Sequence, residues 1–485
     1  MNKTITKRSS SKINFIYNSL YQLLLILIPL ITTPYIARTL GAEKIGMHSF
    51  SLTAAHYFVI VIMLGLANYG NRSIAYVRDD KKKLSETFCD IYYMQLLISA
   101  IVIVAYLIYA LFISNNILTW VMLLYVASAA LDISWLFFGL ELFKFTALRS
   151  TIVKIASTAA IFIFVKTSDD IVVYSFIYAL SFFLTQISLW IYVKKIIKFK
   201  KINIKHSLAH LKPNLILFIP IIAVSIYRMM DKIMLGSLSP LEQLGYYENA
   251  EKIISVPTAL IVSLGTVMMP KISNLTKNKQ GKVANDYLNK SIIIGAILAA
   301  SMCFGIMAVA DEFVPWYFGE SYTPCIELFY ILMPSCLFLS MADIIRTQFL
   351  IPNKMDVDYI KSVIPGAVIN LIINAALIPN MGSKGASIGT LIAEFTVCAL
   401  QLYFIRKKIN VRPFIVNTLH FALIGIIMFI VIYKIPQINN IPLIDIVLKA
   451  AIGATLFILL SIPTIKKYNL IELLRFHNSK KNKKP

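Results

Sequence analysis

The stretch INFIYNSLYQLLLILIPLITTPYIA (residues 13–37) decides the fold of this chain. It carries no charged side chain and is long enough to cross a bilayer as a helix, which takes about 20 apolar residues. Basic residues precede it, as they do in a secretory signal peptide. The run is too long for the apolar core of a signal peptide, and it lacks a small-x-small cleavage site. We therefore interpret it as the first membrane span.

Similar apolar runs continue to residue 463, and about 14 of them are long enough to span a membrane. Backbone N–H and C=O groups in lipid must be paired within the segment, and at these lengths only helices achieve this. The sequence thus predicts an all-α integral membrane protein with about 14 transmembrane helices. The predicted spans are 14–37, 47–70, 88–112, 117–139, 147–165, 171–193, 213–235, 245–269, 287–310, 325–350, 359–379, 385–405, 413–433 and 441–463.

Composition agrees with a membrane protein. The 485 residues are 58% hydrophobic and only 15% charged, with a mean hydropathy of +0.73. In soluble domains about a quarter of the residues are charged, so this composition excludes soluble enzymes and soluble nucleic-acid-binding proteins. The net charge of +23 lies in short loops, which makes the lipid bilayer, and not nucleic acid, the predicted partner. The five cysteines show no CxxC spacing and are predicted to be apolar packing residues, without a disulfide or metal role.

The positive charge alternates between successive gaps. With gap edges that extend up to four residues into the neighbouring spans, 36 of the 47 basic residues lie in the two termini and every second gap, and 6 lie at the alternate gaps. Lys and Arg mark the cytoplasmic side, so both termini are predicted to be cytoplasmic, which requires an even number of crossings. The gap 311–324 is acidic and has no basic residue, as expected on the outer face.

One long basic gap divides the spans into six and eight. It is KKIIKFKKINIKHSLAHLK (194–212), and we interpret it as an amphipathic linker helix on the anionic inner leaflet. The predicted organisation is an N-lobe of spans 1–6 (1–193), the cytoplasmic linker (194–212), a C-lobe of spans 7–12 (213–405), and two further spans with a basic cytoplasmic tail (406–485).

The two lobes show matching motifs. PYIARTLGAEKIG (34–46) and YRMMDKIMLGSLSPLEQLGYY (227–247) both give a charged residue, Leu-Gly, a short outer loop and a second glycine. Both motifs follow a span that starts inside, so the repeats are parallel and related by a pseudo-two-fold axis along the membrane normal. Such repeats predict alternating access to a cavity between two bundles. Spans 4 and 10 match as well, with Asp132, Lys144, Arg149 and Ser150 aligned to Asp343, Lys354, Lys361 and Ser362.

These motifs resemble a known family. ARTLGAEKIG (37–46), GLANYGNRSIAYVRDD (65–80), SIYRMMDKIMLGSLSPLEQLGYYENAEKI (225–253) and the MMPKIS turn (268–273) occur in the order found in the polysaccharide-transporter branch of the multidrug/oligosaccharidyl-lipid/polysaccharide flippase superfamily. This branch contains the Wzx-type flippases for O-antigen, a part of lipopolysaccharide, and for capsule repeat units. The resemblance covers essentially the whole chain.

The resemblance implies a V-shaped bundle of two lobes in the bacterial plasma membrane. It implies transport of undecaprenyl-diphosphate-linked oligosaccharide from the inner to the outer leaflet, by a monomeric transport unit that could work beside a polysaccharide polymerase. The two phosphates of such a substrate lose water on entry, so the cavity needs cationic donors.

Two basic residues within the N-lobe spans are candidates for that cavity. Arg38, near the outer end of span 1, matches the basic residue that family members carry at this turn; the alternative is an arginine that extends to the outer interface. Lys154 lies about 10 Å into span 5, at 1.5 Å per residue. No acidic residue lies three or four positions from Lys154, so a role in the cavity is favoured.

Two charge pairs repeat one spacing. Arg228 and Asp231 in span 7, and Asp343 and Arg346 in span 10, are three residues apart and share a helix face. Each pair is either a self-satisfied ion pair or a gate whose partners exchange when substrate arrives. For Arg346 a role in the cavity is weighted slightly higher, because its helix lines the C-lobe cavity in related flippases.

Glu394, near the middle of span 12, is the candidate for ion coupling. A carboxylate at this depth tends to hold a proton near neutral pH and could carry one across the membrane. The alternative is a hydrogen-bonded structural carboxylate.

The sequence contains no motif for catalysis, a metal or a cofactor, and nothing resembles the nucleotide-binding loop GxxxxGK[ST]. We therefore predict a transporter and not an enzyme. Two other transport functions of the superfamily are alternatives, that of a lipid II flippase and that of a multidrug or toxin cation antiporter. A membrane glycosyltransferase or polymerase is disfavoured, because the longest outer gap is about 14 residues and has no histidine.

Overall fold

The computed structural model describes residues 11–201 and 203–468, and within these ranges the chain forms helices and turns without a strand. Its contacts divide it into two compact units that meet in sequence at Gly245 and Tyr246. The all-α membrane fold predicted from the apolar runs is therefore confirmed. The predicted domain boundaries at 193, 212 and 405 stay a prediction.

The first unit contains ten helices among its described residues. They are α1 (Ser11–Met63), α2 (Leu66–Val77), α3 (Lys81–Tyr109), α4 (Ile117–Ala130), α5 (Ser134–Gly139), α6 (Phe143–Phe164), α7 (Ile171–Ile187), α8 (Trp190–Ile196), α9 (Ile204–Ala209) and α10 (Leu211–Leu238).

The second unit contains the remaining helices. They are α11 (Leu241–Lys277), whose first turn belongs to the first unit, α12 (Gly281–Ala308), α13 (Ala310–Tyr317), α14 (Pro324–Leu332), α15 (Ser335–Ile345), α16 (Asp356–Met381), α17 (Ser383–Ile405), α18 (Arg412–Tyr433) and α19 (Pro442–Lys467).

Twelve of the described helical segments are long and apolar enough to cross a membrane. One of them, Leu27–Val77, joins the predicted first and second spans, because α1 is interrupted only at Gly41. Gly41 has φ 77°, a left-handed conformation that glycine adopts without steric cost. The helix α10 covers the predicted seventh span but is not among the twelve. Fourteen separate spans therefore stay a prediction.

A buried aromatic cluster forms part of the core of the first unit. Phe88 of α3 and Trp135 of α5 are fully buried and stack with ring centroids 5.5 Å apart. Trp135 Nε1 donates to Gln95 Oε1 at 3.2 Å, and Gln95 Nε2 donates to the Ala129 carbonyl at 2.8 Å. The polar atoms of this core are thus satisfied, and α3, α4 and α5 are held together.

The two turns that carry the matching motifs pack against each other within the first unit. A Cβ on Gly46 would lie 1.7 Å from the Leu241 carbonyl oxygen, and a Cβ on Gly245 would lie 1.9 Å from the Ala42 carbonyl oxygen. Ala42 and Gly46 stand 199 positions before Leu241 and Gly245, respectively. The contact is therefore reciprocal, as at a two-fold axis, which agrees with the predicted repeat.

Residues 194–212 do not form the single linker helix that the sequence predicted. Residues 197–201 are not helical, and α9 contains only six residues. Polar bonds fasten this segment to α3: Lys198 N donates to Ser85 Oγ at 3.1 Å, Tyr93 Oη donates to the Lys200 carbonyl at 2.9 Å, and Lys200 pairs with Glu86. These bonds compete with helix formation and dock the linker on the first unit.

Near its end, the linker contacts α2 through the rings of His210 and Tyr69. His210 Nδ1 lies 2.6 Å from the Tyr69 hydroxyl oxygen, and α10 begins directly after it. Burial lowers the pKa of His210, which favours the neutral imidazole. The start of α10 is therefore tied to α2.

In the second unit, a buried ion cluster attaches the last helix. Lys449 of α19 pairs with Glu312 of α13 and lies 3.4 Å from Asp445 one turn earlier. Asp445 Oδ1 also accepts the backbone N–H groups of Ile438 and Asn439, at 2.7 and 3.2 Å. Lys449 and Asp445 are almost fully buried, so this cluster fixes α19 against α13.

Candidate functional site

A cavity of about 330 Å³ lies in the first unit, between α5, α6 and α7. Its wall combines aromatic rings, hydroxyl groups and two cationic side chains. The lining residues are Ser134, Phe138, Phe143, Thr146, Ala147, Arg149, Ser150, Val153, Lys154, Ser181, Phe182, Thr185 and Gln186.

Lys154 is one of the two cations and is half-buried on α6. The helix is polar around it, since the Ser157 and Thr158 hydroxyls donate to the Lys154 carbonyl oxygen at 2.9 and 2.8 Å. Its ammonium group supplies a point charge with three donors. Of the candidate residues in the first unit, Lys154 lines this cavity.

Arg149 is the second cation and belongs to a hydrogen-bond network. Its Nη1 donates to the Thr185 carbonyl and to Gln186 Oε1, the latter at 3.3 Å. Gln186 Nε2 donates to Asp132 Oδ2 at 3.1 Å, and Asp132 Oδ1 accepts the Ser134 N–H at 2.9 Å. The network connects the loop after α4 with α6 and α7.

The other candidates in the first unit lie elsewhere. Arg38 is exposed on α1, close to the Gly41 kink, and Arg228 is exposed on α10. Asp231 is buried and lies within electrostatic range of the Tyr57 hydroxyl on α1. The structure therefore separates Arg38, Arg228 and Asp231 from the cavity that Lys154 lines.

In the second unit, Asp343 and Arg346 form an ion pair. Asp343 is buried, and the Arg346 guanidinium also lies 5.7 Å from the centre of the Tyr359 ring. A Cβ on Gly265 of α11 would lie 2.8 Å from Asp343 Oδ2, so α11 packs tightly on this pair. A formed ion pair fits both interpretations given by the sequence, a self-satisfied pair and a gate that is closed in this state.

Glu394 is half-buried on α17. It lies one turn before Cys398, which is within its electrostatic range and fully buried in the core of the second unit. The placement fits both interpretations given by the sequence, a proton carrier and a structural carboxylate.

Sequence reasoning missed Arg149 and Gln186 as parts of the site. Arg149 stood in the repeat alignment beside Asp132, and that was the available signal. Gln186 is neutral and lies in an apolar run, so neither charge nor periodicity distinguishes it.

Comparison with known proteins places the chain in a family. The model of a family described as "Polysaccharide biosynthesis protein" matches residues 11–276, more than half of the chain. The chain belongs to this family. The resemblance noted in the sequence motifs is thereby confirmed.

The chain is similar to proteins that are named as a transporter and as a flippase. An Escherichia coli K12 protein named "Putative O-antigen transporter" is 24% identical over 413 residues, covering 83% of this chain and 98% of the relative. A Haloferax volcanii protein named "Probable low-salt glycan biosynthesis flippase Agl15" is 22% identical over 186 residues, covering 38% of this chain and 39% of the relative.

Among solved structures, the eukaryotic MATE transporter AtDTX14 aligns with a TM-score of 0.46 and 12% identity. The alignment covers 85% of this chain and 99% of that one.

Proposed function

We propose that this protein is a flippase for undecaprenyl-diphosphate-linked oligosaccharide repeat units. It would move them across the bacterial plasma membrane for surface polysaccharide synthesis, with both termini cytoplasmic. The observation that carries the proposal is the family match over residues 11–276, together with relatives named as an O-antigen transporter and a glycan flippase.

The cavity in the first unit supports this function physically. Lys154 and Arg149 give it positive charge within the membrane-spanning region, where a bound diphosphate would need donors to replace its water shell. The serine hydroxyls and Gln186 add neutral donors that suit sugar hydroxyls. We infer that alternating access exposes this cationic cavity first to one side of the membrane and then to the other.

The other candidate residues take supporting roles in the proposal. Arg38 and the pair Arg228 and Asp231 would contact the substrate or gate its path, and the Asp343–Arg346 pair would open when substrate arrives. Glu394 would couple flipping to a proton gradient. Loss of the response to an imposed pH gradient in Glu394→Gln vesicles would support this role, and an unchanged response would exclude it.

The alternatives differ in what the cavity must bind. A multidrug cation antiporter needs acidic or aromatic binding groups, and two cations on the cavity wall oppose that ligand. A lipid II flippase shares the requirement for cations, so substrate tests must separate it. A polysaccharide polymerase would act beside the flippase, on the repeat units that the flippase delivers.

Removal of the gene should stop display of surface polysaccharide and cause lipid-linked repeat units to accumulate on the cytoplasmic leaflet. Cells that re-express the Lys154→Ala variant should display about fivefold less surface polysaccharide than cells that re-express the wild-type protein. The variant lacks one charge-assisted contact to phosphate. Surface polysaccharide and membrane abundance would be measured together.

Lys144→Ala is the matched control. Lys144 lies on the same helix, α6, and is exposed outside the cavity. Display at the wild-type level by Lys154→Ala would refute the role of Lys154, and normal display without the gene would refute the proposed function.

A further inference from the structure

We propose that the second unit carries a binding site for a phospholipid with two phosphate groups. The site lies where α16 begins, α17 ends and α18 begins, and we call its cationic side chains the basic rim. The lipid binds with its phosphates at the rim and its acyl chains along the exposed surfaces of α16 and α18. Such a site is independent of what the protein transports. The basic rim consists of Lys354, Lys361, Arg406, Lys407, Lys408 and Arg412.

Packing brings the two segments of the basic rim together at one end of the second unit. Lys408 Nζ lies 3.1 Å from Met355 Sδ, and Met355 directly follows Lys354. Met355, Ile405 and Phe414 belong to one buried core. The segment before α16 therefore packs against the segment between α17 and α18. Because a thioether is neutral, its contact with Lys408 leaves the charge of the lysine in place.

The basic rim has an excess of positive charge. Its six side chains are exposed, and none of them forms an ion pair with another residue that the structure describes. Two carboxylates, Asp356 and Asp358, lie in the same stretches of sequence. Both stand in the first turn of α16, where the positive end of the helix dipole stabilises them. The remaining positive charge favours a ligand with more than one anionic group.

Local contacts hold two of the cations without neutralising them. The Arg406 guanidinium lies 3.9 Å from the centre of the Tyr403 ring, a cation–π contact with a neutral partner. The Arg412 N–H donates to Asn410 Oδ1 at 3.1 Å, at the start of α18. Helix α18 has no acidic residue in its first turn, so the positive end of its dipole adds to the charge of the rim.

Exposed apolar side chains continue from the basic rim along two helices that are long and apolar enough to cross a membrane. On α16 they lie 3, 7 and 11 positions after Lys361, and on α18 they lie 4, 7 and 11 positions after Arg412. These spacings place each series on the helix face of its cation. The side chains, each about half exposed or more, are Ile364, Val368 and Ile372 on α16, and Val416, Leu419 and Leu423 on α18.

An amphiphile fits this arrangement better than a soluble anion does, because the charges and the apolar faces adjoin. The two apolar faces suit a lipid with several acyl chains, and the cations from three helix ends suit two phosphates. Cardiolipin, with two phosphates and four acyl chains, is the probe. A prenyl diphosphate has as many phosphates but a single chain, so it would leave one of the two faces uncovered.

The test measures binding of cardiolipin to the full-length protein in detergent by native mass spectrometry. Wild type should bind cardiolipin more tightly than phosphatidylethanolamine, which has no net charge. The triple variant Lys407→Gln, Lys408→Gln and Arg412→Gln should bind cardiolipin about a hundredfold more weakly, because three charges near the headgroup are removed. Equal affinity of wild type and this rim variant for cardiolipin would overturn the site.

The triple variant Lys81→Gln, Lys82→Gln and Lys83→Gln is the matched control. It removes three exposed lysines from the start of α3 in the first unit, so the net charge of the protein changes equally. This control should bind cardiolipin as wild type does. Equal losses in the two triple variants would show non-specific attraction and overturn the site.

Unfolding midpoints separate lost binding from lost folding. Because the substituted side chains are exposed and form no ion pair with a described residue, the rim variant without lipid should keep the midpoint of wild type. Cardiolipin should raise the midpoint of wild type and of the control but not that of the rim variant. An equal rise in all three proteins would contradict the proposal.

Competition identifies the source of the phosphates. Excess inorganic pyrophosphate should not displace cardiolipin, since it lacks acyl chains, and undecaprenyl diphosphate should bind more weakly than cardiolipin. Displacement by pyrophosphate would assign the basic rim to a soluble anion. Tighter binding of undecaprenyl diphosphate would assign it to a lipid-linked substrate, and either result would overturn the phospholipid site.

Discussion

Replacing Lys449 by methionine is expected to destabilise the protein by about 3 kcal/mol, because the change leaves a buried carboxylate without its cation. Asp445 is fully buried, whereas Glu312 is about a quarter exposed. Most of the loss in the free energy of unfolding therefore comes from Asp445. Methionine retains the length and apolar volume of the lysine stem, so lost packing contributes little. The midpoint of unfolding of the purified protein in detergent would show the change.

Two further variants make the result specific to the ion cluster. Lys434→Met removes an exposed lysine after α18 and should leave the midpoint unchanged. Adding Asp445→Asn to Lys449→Met removes the buried charge but retains the oxygen for Ile438 and Asn439, so it should recover much of the loss. A Lys449→Met protein as stable as Lys434→Met would show that the cluster does not hold α19.

Substitution of Gly245 by alanine is expected to destabilise the protein strongly for a change of a single methyl group. The new Cβ would lie 1.9 Å from the Ala42 carbonyl oxygen, and a backbone atom cannot yield as a flexible side chain can. The two turns must then separate, at a cost of about 1–3 kcal/mol typical of overpacking. Gly46→Ala should destabilise the protein in the same way, because its Cβ would meet the Leu241 carbonyl oxygen on the other side of the same contact.

Gly281→Ala is the control for this prediction. A Cβ on Gly281, at the start of α12, would meet no atom within 4 Å. Unfolding midpoints and membrane abundance of the three variants would be compared. Equal midpoints for Gly245→Ala and Gly281→Ala would contradict the tight packing of the two turns.

Much of the fold could be predicted from the sequence, because apolar length and charge alternation are local properties. The runs predicted the helices, and the matched motifs predicted the repeat. The reciprocal contact of Gly46 and Gly245 could not be predicted, since the motifs give equivalence but not distance. The docked linker was missed because its bonds to α3 join residues more than 100 positions apart.

The site was predicted less well, because charge within the spans was the main signal. It selected Lys154, which lines the cavity, and also Arg38 and Arg228, which do not. Lys449 was overlooked, although Asp445 four positions earlier in the same span was a visible partner. Gln186, which accepts a hydrogen bond from Arg149, is a neutral side chain in an apolar span and gives no signal in the sequence.

The central claim is that this chain flips a lipid-linked oligosaccharide, and reconstitution tests it most directly. Lipid-linked repeat units from cells that lack the gene would be placed with the purified protein in sealed vesicles, and the outer-leaflet fraction would be measured with a membrane-impermeant glycosidase. Wild-type protein should make the whole pool accessible, and Arg149→Met and Lys154→Ala should do so more slowly. If vesicles with the wild-type protein expose no more substrate than protein-free vesicles, the account is contradicted.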